Sequence, residues 1–464
     1  MSEILEKLNP GQTRWQSARV HIIGNKLGDS PRSGNSPRPR LVVVVNSAIA
    51  LGFVEGQLEF FQNKGFDVTV LCPERRDGEW EVPGPATEIS IVKIPMERKI
   101  APLQDLESLW RLWRTMRKLR PTVTNVGTPK AGLLGGFATW LNRVPCRVYT
   151  LHGLRFETAK GLKRRLLVYA ERLACRFAHR VVCVSHSARE KAIACRLAPQ
   201  KRIVVLKSGS CNGVDASRFA PNPELLRRAA ELREQLGIPE KATVILFVGR
   251  LTCDKGIPEL LRAFSLLDRQ FRDLRLLLVG CFEKEDPLPG DIHRVLKTHR
   301  HVVFAGAIEE MPAVYALADV VALPSHREGL PLVVLEAQAA GKPVIGANAT
   351  GIVDIIADGQ TGLLFPIGYA PALARALARL IGNKALARRL GQAGQEQVRR
   401  KFQQEQIWEA LYEEYFTVLQ TKRTPATLRA RSAKRDNLLG RRDQERCGSR
   451  DVPASSSEAI ESRA

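Results

Sequence analysis

Two carboxylates, Glu328 and Glu336, lie eight positions apart in ALPSHREGLPLVVLEAQAAGKPVIGANATGIVD, residues 322–354. The segment opens on the end of an apolar run, and Pro324, Ser325 and Gly329 then break it. A short apolar run bounded by turn residues suits a buried parallel strand. Pro331 is placed for a first helical position, good helix formers follow to Ala340, and Gly341 stops them. This reading sets Glu328 in the loop and Glu336 about one and a half turns into a helix. The free N–H groups and dipole of a helix N-terminus attract anions. An ionised carboxylate is an acceptor only, so carboxylates beside such an anion site suit hydroxyl groups. A ligand with both phosphates and many hydroxyls is a nucleotide sugar. The plainer reading is two surface acids on an ordinary helix.

A second cluster, Gly249, Arg250, Lys255 and Gly256, sits in FVGRLTCDKG directly after a run that reads as a strand, residues 244–248. Glycine lets the backbone come close to a ligand, and two cations can meet a diphosphate. The plainer reading is a turn with solvated charges. His152, in YTLHGLRFE, stands at the C-terminal end of the strand read over 147–151, where open α/β sheets bind ligands. Its imidazole could bond a sugar hydroxyl, or it could be a structural histidine. No Asp-x-Asp pair is present, and none of the nine cysteines forms a Cys-x-x-Cys pair, so no metal is expected.

Glu328, seven intervening residues and Glu336 resemble the E-x7-E motif of retaining GT-B glycosyltransferases of the GT4 kind. Ser325, Gly329, Leu330, Pro331, Gly341, Pro343, Gly351, Asp358, Gly359, Thr361 and Gly362 fall where that signature has them. FVGRLTCDKG resembles the family's donor-phosphate segment. TPKAGLLG (128–135), LHGLRFE and GSCNGVD (209–215) resemble a sub-family that builds capsule, exopolysaccharide or lipid-linked glycans.

The resemblance implies a GT-B fold, two doubly wound Rossmann-like domains facing a cleft. It implies transfer from a nucleotide sugar, by the sub-family a UDP-sugar with GDP-mannose left open, to a glycan or lipid-linked acceptor with retention of configuration. Arg250 and Lys255 would stabilise charge on the leaving diphosphate. Glu336 would accept from the ribose hydroxyls and Glu328 from the donor sugar. The backbone of Gly249 would approach the donor, and the N–H groups of Gly329, Leu330 and, at the next strand-to-helix turn, Gly351 would meet diphosphate or sugar. His152 would serve from the first domain. No cofactor is implied, since the nucleotide sugar is a substrate. Two departures lie on the acceptor side: Thr124-Asn125-Val126-Gly127 replaces a His-Thr-His segment, and residues 48–52 replace a Gly-Gly turn. A non-hydrolysing UDP-N-acetylglucosamine 2-epimerase shares the architecture but lacks the E-x7-E frame, and a non-catalytic sugar-binding protein would not need the four charged residues.

These residues need elements to hold them. At 464 residues the chain suggests two large domains. The β/α alternation runs from residue 40, pauses at a proline-marked connection over 218–240, and restarts. The expected division is a disordered arm over 1–39, an acceptor-side domain over 40–220, a donor domain over 221–402, a final helix over 403–420 that the family resemblance implies returns to the first domain, and a disordered basic tail over 421–464. Early helices are expected over 54–64, 103–119 and 160–178. The net charge of +23 attracts polyanions. No zinc-finger spacing or aromatic-basic platform points to nucleic acid, so the partners expected are phosphate ligands and an anionic membrane surface. ESLWRLWRTMRKLR and KGLKRRLLVYAERLACRF supply the basic amphipathic helices for such a surface. With no signal peptide or membrane-length apolar run read, and cysteines scattered through apolar runs as in a reducing compartment, the expected place is the cytoplasm, at the inner face of the plasma membrane.

Overall fold

The computed structural model describes residues 38–46, 48–74, 89–96, 101–283 and 286–423. Most of the arm expected over 1–39, the tail from 424 and Cys447 lie outside them.

A seven-stranded sheet runs β3-β2-β1-β4-β5-β6-β7. Its strands are β1 (Arg40–Val44), β2 (Asp67–Cys72), β3 (Ser90–Lys93), β4 (Val123–Gly127), β5 (Cys146–Leu151), β6 (Arg180–Cys183) and β7 (Ile203–Val205). A six-stranded sheet runs β10-β9-β8-β11-β12-β13, from β8 (Thr243–Val248), β9 (Leu274–Val279), β10 (Val302–Gly306), β11 (Val320–Leu323), β12 (Val344–Ala347) and β13 (Leu363–Phe365). All pairings are parallel. Runs such as TVILFV and LRLLLV form central strands because their apolar side chains are covered on both faces. Strand order reverses between β1 and β4 in one sheet and between β8 and β11 in the other, and such switch points open a crevice at the strands' carboxyl ends.

Two expectations change, and one short strand went unread. The helix read over 54–64 is a 3-10 helix at Ala48–Val54 and an α-helix at Gln57–Asn63, separated at Gly56, whose φ of 73° breaks the run. The last strand, β13, is three residues long and is set by its pairing with β12. The cysteines are not uniformly buried, since Cys281 is exposed.

The glycine-rich helix Pro129–Leu141 packs tightly on the first sheet. A Cβ on Gly132 would run into the ring of Tyr149. The Tyr149 hydroxyl donates to Glu171, a buried acid on the next helix, Gly161–Phe177. Burial pushes the Glu171 carboxyl up to about 7, against the opposing hydrogen bond from Tyr149. A carboxyl raised on folding stabilises fully below its unfolded value, 4.5, and that contribution is lost as pH rises to about 7. A gap of this size corresponds to about 3 kcal/mol. Glu171→Gln is therefore expected to gain thermal stability over the wild type as pH goes from about 5 to about 8. Melting curves for both proteins across that range check it; a constant difference would contradict the assignment.

The helix Pro102–Leu119 turns Ser108, Leu112 and Met116 inward. It leaves Leu103, Leu106 and Trp110 exposed. The helix Gly161–Phe177 likewise buries Val168, Ala174 and Cys175 and exposes Leu162, Leu166 and Tyr169. Each helix thus carries an inward stripe and a separate outward one.

Residues 404–415 of the final helix, Gln404–Arg423, lie against the first sheet's side. Asn125 Nδ2 donates to the Tyr415 hydroxyl at 2.9 Å, and Trp408 Nε1 donates to Asn212 Oδ1 at 2.7 Å. Glu409 and Glu414 pair with Lys64 and Arg180 at 2.6 and 2.5 Å. Trp408 also meets the Phe60 ring. Both sheets belong to the unit that ends at Tyr415, and the helix runs on from there as the start of a second unit.

Candidate active site

The charged candidates leave the two strands that straddle the second sheet's switch point. β8 ends into Gly249 and Arg250, and β11 ends into the loop that carries Glu328. A short 3-10 turn, Cys253–Lys255, presents the lysine. Lys255 Nζ donates to Glu328 Oε1 at 2.5 Å, with both side chains less than one-fifth exposed. Arg250 pairs with Glu283, which follows β9, the strand next to β8. Between them lies Asp254. Burial raises its carboxyl, but the Thr252 hydroxyl and the charges of Arg327, Arg250 and Lys255 outweigh it, so its pKa falls below the ordinary value. Arg327 bonds this carboxylate directly, and the charges of Arg250 and Lys255 also act on it.

The two motif loops are also tied by backbone and side chain. His326 N donates to the Asp254 carbonyl at 2.8 Å. Arg327 Nη2 donates to Asp254 Oδ2 at 2.7 Å, and its Nε reaches Thr158 Oγ1, from the first half of the chain, at 3.1 Å. Glu259 pairs with the His326 ring at 3.3 Å.

Glu336 stands at the fifth position of the helix Leu332–Ala339. That helix begins one residue later than expected. Pro331 has its φ near −75° but a ψ of 114°, so it is the extended N-cap and not the first helical residue. The Tyr315 hydroxyl donates to Glu336 Oε2 at 2.7 Å. Burial pushes the Glu336 carboxyl above its ordinary range, opposed by that hydrogen bond and by Arg218, and aided by Glu55. Glu336 is thus half-buried, with one oxygen already accepting from a protein hydroxyl and its charge disfavoured by burial.

From the other sheet, His152 follows β5. Its ring stacks on Phe53, with centroids 5.4 Å apart, and burial pushes its pKa down to about 4. The imidazole is neutral near pH 7 and works as a hydrogen-bonding group, not a cation. It lines a small cavity with Asn125, Gly127, Thr150 and Ser210. The His152 carbonyl lies so close to Gly329 that a Cβ there would collide with it. Gly329 is thus the point where the loop after β11 meets the first half. The N–H groups of Gly329 and Leu330 donate to no described residue.

Gly351 does not sit at a strand-to-helix turn. Between β12 and β13 the described chain makes only turns, with Ile352, Ile355 and Ile356 buried beneath them. Its N–H donates to Ser187 Oγ at 2.8 Å, and Ser187 in turn donates to Asp354. A ligand contact by Gly351 must therefore displace Ser187.

The structure thus brings together Gly249, Arg250, Lys255, Glu328, Gly329 and His152, sets Glu336 a helical turn and a half behind, and gives Gly351 a protein partner. Sequence reasoning missed Glu283, Tyr315, Ser187 and the Asp254–Arg327 pair. Each is a partner brought from a distant strand or helix. Glu283 opens an acidic run, EKED at 283–286, just past the strand that neighbours β8, and nothing in that run singles it out. Among the described residues no cluster of His, Cys, Asp or Glu could hold a metal.

Two parallel α/β halves with the polar residues gathered at the strands' carboxyl ends define the GT-B fold. The solved structure of Anabaena HepE in complex with UDP-glucose superposes with a TM-score of 0.67 at 20% identity, covering 82% of this chain and 99% of that one. WaaG, a glycosyltransferase involved in lipopolysaccharide biosynthesis, superposes with a TM-score of 0.62 at 16% identity over 80% of this chain and 97% of that one. The family model Glycosyl transferases group 1 matches residues 229–397, and Glycosyl transferase 4-like domain matches 53–209. The capsular polysaccharide biosynthesis glycosyltransferase CapM of Staphylococcus aureus is 35% identical over 379 residues, 82% of this chain and 96% of CapM. The UDP-Gal:alpha-D-GlcNAc-diphosphoundecaprenol alpha-1,3-galactosyltransferase of Escherichia coli is 27% identical over 340 residues, 71% of this chain and 84% of that enzyme. The chain belongs to the GT4-type glycosyltransferases, a retaining family, and is an enzyme of that class.

Proposed function

We propose that the enzyme moves a hexose from a UDP-sugar to a lipid-linked or glycan acceptor during cell-surface polysaccharide synthesis. The observation that carries the site is the convergence of Arg250, Lys255 and Glu328 from the two switch-point strands of one sheet. The choice of UDP follows the E. coli relative, whose donor is UDP-Gal, and the UDP-glucose complex of HepE. The acceptor class follows that relative and the capsule enzyme.

In this reading the donor diphosphate takes Arg250 and Lys255 from their carboxylate partners as charge grows on the leaving group. Glu328, released from Lys255, accepts from sugar hydroxyls. Gly249 lets the diphosphate approach the backbone, and the N–H groups of Gly329 and Leu330 donate to it. Gly351 joins only if Ser187 yields. His152 bonds a sugar hydroxyl through its neutral ring. Retention follows from acceptor attack on the face that the diphosphate leaves, with the departing phosphate taking the proton. Electrostatic work of this kind needs no metal and no cofactor. The division into an acceptor domain over 40–220 and a donor domain over 221–402 belongs to the same proposal.

The deciding experiment mixes the purified chain with UDP-glucose, UDP-galactose, UDP-N-acetylglucosamine or GDP-mannose, with and without a diphospholipid-linked sugar. UDP release that requires the acceptor supports the reading. Acceptor-independent conversion of the donor, or a response to GDP-mannose alone, overturns it.

Glu336→Gln is expected to raise the donor KM about tenfold with little change in turnover. Ribose contacts persist from the bound donor into the transition state, so their loss is uniform. Steady-state kinetics separate the two constants; a pure turnover loss would remove Glu336 from the ribose role.

The enzyme works at a membrane surface in this proposal, docked by the outward stripes of Pro102–Leu119 and Gly161–Phe177. No helix among the described residues is long and apolar enough to cross a membrane. Exposed Leu103, Leu106, Trp110, Leu162 and Leu166 with interleaved cations suit an anionic interface. Salt-sensitive sedimentation with anionic vesicles, weakened by Arg164→Glu with Arg165→Glu, is the expected result. No vesicle binding even at low salt would sink it.

A further inference from the structure

A groove of about 760 Å³ opens beside the C-terminal half of the helix Gly161–Phe177. Arg172, Arg176, Arg196 and Arg202 line it, with Leu173 and Leu197 among its apolar floor, and no carboxylate lines it. Arg176 and Arg202 lie just before β6 and β7, at the amino ends of those strands. The catalytic candidates leave the opposite, carboxyl ends. The groove is therefore separate from the donor site.

Two of the four guanidinium groups are oriented without being neutralised. Arg172 donates from Nε and Nη2 to the Cys195 carbonyl at 3.3 and 2.8 Å. Arg202 Nη1 donates to the Ala178 carbonyl at 3.1 Å. A carbonyl fixes a guanidinium but leaves its charge unbalanced. Arg176 and Arg196 make no ion pair among the described residues.

Arg196 adds an independent observation. It follows the helix His186–Ala194 with φ at 52°, in the left-handed region. Arg196 N donates to the Ile193 carbonyl at 2.8 Å and Leu197 N to the Ala192 carbonyl at 3.0 Å. This is the Schellman motif, whose left-handed position ordinarily takes glycine. An arginine there strains the backbone where glycine would not, and its side chain enters the groove. Complementing the helix dipole explains a cation near this end. Arg176, in the last turn of Gly161–Phe177, and Arg172 and Arg202, which bond the terminal carbonyls Cys195 and Ala178, also complement helix ends; none of this explains the missing acid.

We propose that this groove binds the phosphate of an anionic phospholipid headgroup. Arginine forks match phosphate oxygens. The apolar floor, and the exposed Leu162, Leu166 and Tyr169 leading to it along the same helix, suit a lipid surface. The inference rests on the membrane reading above and adds a discrete headgroup site to it.

The test uses the full chain, vesicles of phosphatidylcholine with and without phosphatidylglycerol, and inorganic phosphate. Arg176→Ser with Arg196→Gly should weaken binding to the anionic vesicles by about tenfold or more, at about fivefold per lost cation. Arg196→Gly alone should raise Tm while lowering binding, which separates the site from a folding defect. Arg143 occupies the same left-handed position after the helix Pro129–Leu141 but lies outside the groove, so Arg143→Gly should raise Tm and leave vesicle binding unchanged. Equal loss from Arg143→Gly would mean diffuse charge and overturn the groove. Wild-type vesicle binding that the double variant keeps overturns it too. Phosphate that shifts the wild-type Tm but not that of the double variant, with no vesicle difference, assigns soluble phosphate and overturns the lipid. No vesicle binding by the wild type would instead remove the membrane reading itself.

Discussion

Lys255→Ala is expected to lower turnover by about 100-fold or more at saturating donor, the scale seen when a preorganised charge-stabilising group is removed. The lysine is largely buried, and its carboxylate partner Glu328 is 12% exposed. The substitution therefore removes a cation from the leaving group and leaves an acid beside the developing negative charge. Arg250→Ala should act in the same direction but less strongly, because its side chain is 46% exposed and solvent screens what it contributes. Both effects should fall on turnover more than on donor affinity, since charge on the diphosphate grows as the bond breaks. Steady-state kinetics with each variant check this. Near-normal turnover of Lys255→Ala would remove the lysine from the reaction, and an Arg250→Ala defect exceeding that of Lys255→Ala would reverse the ranking by burial.

Gly329→Ala should be nearly as damaging for a different reason. The new methyl would meet the His152 carbonyl, and a backbone atom cannot swing aside as a side chain can. The loop carrying Glu328 must then move away from the first half. A displacement of about 1 Å at a reacting centre can cost about 100-fold in rate. Because Glu336 lies on the helix behind, nucleotide affinity should fall much less than turnover. Titration with UDP alongside turnover measurements separates the two. Unchanged turnover would show that the close approach of Gly329 to His152 has no part in the reaction.

The strands were legible because short, mostly apolar runs such as TVILFV and LRLLLV, bounded by turn residues, suit strands covered on both faces. The Glu328–Glu336 spacing was legible because it rests on local backbone, a loop and the helix it feeds. What escaped was long-range or very short. Glu283 reaches Arg250 across two adjacent strands, Tyr315 comes to Glu336 from another helix, and Ser187 comes to Gly351 from the other sheet. Nothing within a window of neighbouring residues encodes those meetings. Strand β13, at three residues, has no period to read. Pro331 misled by one position because proline fixes φ but leaves ψ free, and here ψ stays extended. The amphipathic helices showed charge interleaved with apolar residues, but not that each divides its apolar residues between the sheet and the outside.

The return of the final helix sets a rule for recombining enzymes of this kind. Residues 404–415 follow the second sheet in sequence, yet Tyr415, Trp408, Glu409 and Glu414 are bound to Asn125, Asn212, Lys64 and Arg180. A chimera that takes its second half from a relative, joined once near residue 220, would import a foreign helix against this first half. Asn125 and Asn212 would lose fitted partners, and buried polar groups left unpaired are costly. A productive exchange needs two junctions, the second near residue 402, so that the helix travels with the half it touches. Residues 404–415 and the first half, distant in sequence, therefore form one unit for exchange.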